Sequence, residues 1–162
     1  MDFSRLNRTR VIVGAAASIL LIVSVLFMPW YSLTDTPERV QQGADAYVCG
    51  QGEFSCTGFE TFPIMRWLLI ASAFAPLILA YILVRGHKLS WAPGEMTMVV
   101  GFTDAVLIAY NGIIDRPGDT FDVSLDYGYW VALLASLVIA GTGFTRSLES
   151  GGRKQRKAPG TV

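Results

Sequence analysis

Four stretches of 18–20 residues dominated by apolar side chains constrain this chain more than any other feature. They are 11–30 (VIVGAAASILLIVSVLFMPW), 67–84 (WLLIASAFAPLILAYILV), 95–114 (EMTMVVGFTDAVLIAYNGII) and 127–144 (YGYWVALLASLVIAGTGF). At 1.5 Å per residue each helix would be roughly 30 Å long, the thickness of a bilayer's hydrocarbon core. A water-soluble bundle needs a polar stripe on every helix, and the first and fourth stretches have almost none. Composition points the same way. Hydrophobic residues are 52% of the 162 and charged residues 16%, against a typical ~25% charged. The expected fold is all-α: a four-transmembrane-helix bundle with both termini cytoplasmic and a small disulfide-closed extracytoplasmic loop.

The charges set the direction. Arg5, Arg8, Arg10, Arg85, Lys88, Arg146, Arg153, Lys154, Arg156 and Lys157 share one side with Asp2, Glu95 and Glu149, a balance of +7. Arg39, Arg66 and Arg116 share the other with Asp35, Glu38, Asp45, Glu53, Glu60, Asp115, Asp119, Asp122 and Asp126, a balance of −6. Asp104, inside the third stretch, brings the total to zero. The positive-inside rule places residues 1–10, 85–94 and 145–162 in the cytoplasm, and 31–66 and 115–126 outside. Trp30, Tyr31, Trp67, Tyr127, Tyr129 and Trp130 are expected at the outer headgroup level. The basic start and first apolar stretch resemble a signal peptide. The nearest A-x-A triplet, Ala44-Asp45-Ala46, is too far downstream for cleavage, so an uncleaved helix is expected.

In the outer loop, Thr36-Pro37-Glu38 combines a hydroxyl cap, a proline suited to a first helical position and a first-turn acid, and predicts a short helix. Cys49 and Cys56 bracket a Gly-rich turn on the oxidising side, which predicts a disulfide. Closing so short a loop contributes about 2–3 kcal/mol. A thiol-exchange centre is the competing reading, but the cysteines lack the C-x-x-C spacing. Tyr47, Phe54, Phe59, Phe62 and Pro63 are read as a cap folded onto the helix ends, or else as a patch that binds a partner.

Asp104 is the most informative residue. At the centre of a span an aspartate costs about 2.5–3.5 kcal/mol, so it must face protein or water, or be protonated. Helical spacing aligns Thr97, Gly101, Asp104, Ile108 and Asn111. Ser136 lies at the centre of the fourth stretch. Pro76 lies near the centre of the second and deprives the Ser72 carbonyl of its helical donor. These residues form a candidate polar cluster of Asp104, Asn111, Ser136, Ser72 and Thr97. Either a protonated Asp104 is a hydrogen-bonded staple between helices, worth about 1–2 kcal/mol, or it is a proton- or cation-responsive group in a pathway.

Gly128, Ala132, Ser136 and Ala140 recur every four residues, a stripe that lets another helix approach closely. Gly14 and Ser18, and Ala71 and Ala75, are shorter versions. Arg153, Lys154, Arg156 and Lys157 form a basic segment suited to anionic lipid, each contributing about 1 kcal/mol near such a leaflet. His87 reads as a solvated histidine, and the aspartates of DRPGDTFDVSLD as a solvated turn without the spacing of a calcium loop. Two cysteines and one histidine are too few for a Cys/His metal cluster. P-loop, dinucleotide, zinc-protease and hydrolase motifs are missing. No metal, cofactor, catalytic residue or nucleic-acid partner is expected.

MPWYSL, YNGIIDRPG and DYGYWVALLASLVIAGTG, with the basic tail ending KAPGTV, resemble small actinobacterial four-helix membrane proteins. That resemblance implies the four-helix fold, the topology and a bacterial inner membrane, and it carries no catalytic residue. The layout is similar to tetraspan proteins such as claudins, without their G-L-W element. The expected role is a non-catalytic structural or accessory subunit of a membrane complex, with a membrane-protein partner or a homo-oligomer. The competing role is a small transporter or coupling protein using Asp104.

Overall fold

The computed structural model describes residues 3–33, 49, 55–85, 92–115 and 123–154, with side chains for all of these except 3–8, 83–84 and 149–154. Helix α1 (Phe3–Phe27) stops ahead of Pro29, which has no N–H to donate and pushes Met28 out of the helical region. The chain then turns into strand β1 (Pro29–Leu33), where proline occupies the first position that a strand tolerates. Strands β2 (Ser55–Thr57) and β3 (Val123–Leu125) pair antiparallel on either side of it, in the order β2-β1-β3. This small sheet corrects the all-α expectation, and it removes Trp30 from the first span. The aromatic and apolar residues of PWYSL lengthen an apolar stretch by composition, but the proline assigns them to a strand.

Thr57 caps the short helix α2 (Gly58–Thr61) through a reciprocal pair with Glu60, its hydroxyl accepting from the Glu60 N–H at 3.3 Å. Helix α3 (Met65–Val84) contains Pro76. Helix α4 (Pro93–Ala109) starts with proline in its first turn and Glu95 near its positive end, and it widens into a π turn at Tyr110–Ile114. Helix α5 (Tyr127–Lys154) runs 28 residues, about 42 Å at the helical rise. The expected fourth span ends at 144, so the first part of the expected tail is helical. Among the described residues four segments, Thr9–Phe27, Met65–Ile82, Pro93–Ile114 and Tyr127–Leu148, are long and apolar enough to cross a membrane.

The four long helices form a ring in which each contacts the next in sequence and α1 contacts α5, all antiparallel. The α4–α5 contact is the most extensive and the α3–α4 contact the least. Glycine explains the first. A Cβ placed on Gly101 would lie 2.4 Å from the Ala140 nitrogen, and one on Gly143 would lie 2.3 Å from the Met98 nitrogen. Backbones that close leave no room for a side chain at either point. At one end of the bundle Arg10 of α1 donates to the Thr145 carbonyl of α5 at 3.4 Å. The sheet closes the other end.

There the core is aromatic. Trp30, Tyr31 and Tyr129 are fully buried, whereas Trp67, Tyr127 and Trp130 are exposed. A bulge in β1 between Pro29 and Tyr31 turns both Trp30 and Tyr31 inward. The Trp30 indole donates to the Ser24 carbonyl at 3.1 Å, and its ring meets Tyr129 edge-on at 6.0 Å. The Ser24 hydroxyl in turn donates to the Gly128 carbonyl at 2.6 Å. Phe59 and Phe62 pack against this core, and Cys49 and Cys56 are joined and buried within it. The expected helix after Thr36, the side chains Tyr47 and Phe54, His87, residues 116–122 of the acidic turn, and the tail with Arg156 and Lys157 lie outside the described residues.

Two glycines give a paired prediction. Gly101→Ala should destabilise the protein by about 1–3 kcal/mol through overpacking. Gly141, whose Cβ would meet nothing within 4 Å, should accept alanine with an unchanged or slightly raised melting temperature in detergent. Thermal unfolding of both variants, followed by circular dichroism, checks the contrast.

Candidate functional site

Among the described residues, buried polar side chains in the middle of the bundle gather in one layer. Helix α4 turns Asp104 inward, where it is 1% exposed. Its Oδ1 lies 2.6 Å from the Ser72 Oγ of α3, and its Oδ2 has no hydrogen-bond partner. Ser72 is the expected partner, and it bridges the thinnest seam of the ring. Its Oγ also lies 2.9 Å from the Leu69 carbonyl, one turn back in its own helix.

Ser136 is at the same depth on α5. The approach of Gly101 to Ala140 and of Gly112 to Tyr129 sets the α4–α5 register, which brings Asp104 level with residues 136–137. Ser136 is fully buried, but its hydroxyl donates to the Leu133 carbonyl at 2.8 Å rather than to Asp104. The other two members of the expected cluster lie elsewhere. Thr97 is buried two turns away and donates to the Pro93 carbonyl at 2.8 Å. Asn111 donates to the Leu107 carbonyl at 2.9 Å and approaches the Met65 sulfur at 3.0 Å. Its own carbonyl accepts from the Tyr31 hydroxyl at 3.2 Å, which ties the sheet to the π turn. A shared helical face does not make a shared cluster, because each turn advances about 5.4 Å along the axis.

Ser18 completes the layer. Gly14 faces Thr142, and Ser24 bonds Gly128. Ser18 and Ser136 each lie about two-fifths of the way between those two anchors, so they share a level. Ser18 is fully buried and donates to the Gly14 carbonyl at 2.9 Å. One buried or half-buried polar side chain therefore comes from each helix: Ser18, Ser72, Asp104 and Ser136. Sequence reasoning had Ser18 only as a small packing residue. The available signal was its place near the middle of the first apolar stretch, as Asp104 and Ser136 are near the middle of theirs.

The small-residue stripe on α5 faces inward. A Cβ on Gly128 would lie 2.4 Å from the Pro29 carbonyl oxygen, Ala132 and Ser136 are fully buried, and Ala140 meets Gly101. Outward, Met98, Phe102, Gly141 and Phe144 line an open apolar groove between α4 and α5. Among the described residues no group of three or more His, Cys, Asp or Glu is placed to hold a metal ion. Of the expected lipid-contact residues, Arg153 and Lys154 lie on the last turn of α5. Comparison with known proteins finds no matching family model, no similar curated protein and no similar solved structure.

The Asp104–Ser72 contact yields a coupling prediction. In a double-mutant cycle of Ser72→Ala and Asp104→Asn, the two changes should be coupled by about 0.5–1.5 kcal/mol. Ser72→Ala alone should be the more damaging, because it strips the one partner from a buried carboxyl. Denaturant titration of the four proteins in mixed micelles gives both numbers.

Proposed function

We propose that this chain is an integral protein of a bacterial plasma membrane, with both termini cytoplasmic, acting as a non-catalytic accessory or structural subunit. The observation that carries this reading is the distribution of apolar surface. The interior is closed by glycine contacts and by buried hydroxyls that have partners within the bundle, while the lateral face offers the open apolar groove at Gly141. A surface of that kind acts through contact with lipid or with another helix. The resemblance of MPWYSL, YNGIIDRPG and the fourth apolar stretch to small actinobacterial four-helix proteins supports the same reading. The basic residues at one end and the acidic residues at the other support the orientation, with the basic tail against anionic lipid.

Two experiments test it. Alkaline phosphatase inserted at Asp119 should be active while green fluorescent protein fused to the C-terminus fluoresces, and the opposite pattern overturns the orientation. Tagged protein extracted from native membranes in mild detergent should carry a membrane-protein partner or a second copy in fixed stoichiometry. Gly141→Phe should remove it without lowering the yield of folded protein. A chain that purifies alone contradicts the accessory role.

One observation favours a second reading. The Asp104 carboxyl, with an unpartnered oxygen in the middle of the bundle, is the group a small transporter or coupling protein would use. On that reading Asp104→Asn abolishes an ion flux in vesicles and leaves the melting temperature within a few degrees of wild type.

A further inference from the structure

We propose that Asp104 is a proton-binding site inside the bundle, the proton being held between its Oδ1 and the Ser72 Oγ. Ser72 Oγ lies within bonding distance of two oxygens, 2.9 Å from the Leu69 carbonyl and 2.6 Å from Asp104 Oδ1. A serine hydroxyl has one hydrogen and two acceptor lone pairs, whereas a carbonyl oxygen has no hydrogen to give. Were Asp104 ionised, the single serine hydrogen would have to be shared between both oxygens, leaving each contact with part of a hydrogen bond. With a proton on Oδ1 both contacts are hydrogen bonds. Asp104 donates to Ser72, and Ser72 donates to Leu69, the bond a serine commonly makes in an apolar helix. A separation of 2.6 Å suits either arrangement, and the protonated one gives each contact a hydrogen of its own.

The remaining oxygen agrees. Oδ2 is buried without a partner, which a neutral carbonyl oxygen tolerates far better than half of a naked carboxylate. The surroundings supply no substitute for the proton. At this level Ser18 and Ser136 direct their hydrogens to the Gly14 and Leu133 carbonyls of their own helices. Pro76 supplies no N–H to the Ser72 carbonyl. The layer is rich in acceptors and poor in donors.

Charged side chains described on the packed helices lie toward their ends: Arg10 on α1, Arg66 and Arg85 at the ends of α3, Glu95 and Asp115 at the ends of α4, and Arg146 on α5. Each is six or more residues from the polar residue of its own helix, about 9 Å or more along the axis. The nearest in this sense, Arg66, holds its guanidinium over the Phe59 ring at 4.5 Å. Among the described residues, therefore, no cation stands in for the proton.

Infrared spectroscopy of the full chain in phospholipid vesicles at pH 7 tests the site directly, using protein labelled with carbon-13 at the aspartate carboxyls. The expected spectrum contains one carboxylic-acid C=O band that shifts with the label. It should disappear in Asp104→Asn and move in frequency in Ser72→Ala, which removes the acceptor. If Asp104→Asn does not fold, the Ser72→Ala displacement makes the assignment by itself. Wild-type protein whose aspartates give only carboxylate bands overturns the proposal. So does an acid band that neither variant changes.

Discussion

The rest of this structure depends on the near-contact of two backbones, α4 against α5 at Gly101 and Gly143. In lipid, helices gain nothing from hiding apolar surface from one another, so association rests on close packing and on interhelical hydrogen bonds. The two glycines allow α4 to settle against α5 at one register and one rotation. That rotation turns Asp104 away from the outward face bearing Phe102 and toward Ser72 on α3. The same register levels Asp104 with Ser136. The α3–α4 seam has far fewer contacts, and there the Asp104–Ser72 bond joins two helices that packing alone holds loosely.

A second constraint acts at the sheet end. Pro29 ends α1 and starts β1, and the strand carries Trp30 and Tyr31 into the space among the helix ends. The Trp30 indole and the Ser24 hydroxyl then connect α1 to the start of α5 through the Gly128 carbonyl. A disulfide to Cys56 ties Cys49 to β2 of the same sheet. The loop, the strand and two helices thus share one core, so the cap is continuous with the bundle.

Much of this was legible in the residues. Length and apolarity gave the number of long helices, cysteine placement gave the disulfide, and Pro76 with Asp104 pointed to Ser72. The sheet was not legible, because VLFMPW reads as one apolar stretch until Pro29 is given its full weight. The burial of Trp30, Tyr31 and Tyr129 was not legible for a related reason. Tryptophan and tyrosine at a span's end suit a headgroup belt and a protein core equally by composition, and the bulge at Trp30 decides between them. Thr97 and Asn111 share Asp104's helical face but not its depth, which periodicity does not encode. Ser18 enters the polar layer through the pairing of α1 with α5, a long-range relation that no local pattern contains.

On the proposed membrane reading, the polar layer of Ser18, Ser72, Asp104 and Ser136 lies at a single depth in the middle of the bilayer. Single cysteines replacing Ile19, Phe74, Val106 and Leu137, all outward-facing neighbours of that layer, can be spin-labelled in phospholipid vesicles. Their collision rates with oxygen and with a water-soluble nickel chelate then report depth. The account predicts four equal depths near the bilayer centre, with high oxygen and minimal nickel accessibility at every site. Unequal depths, or a site open to the nickel reagent, would contradict it.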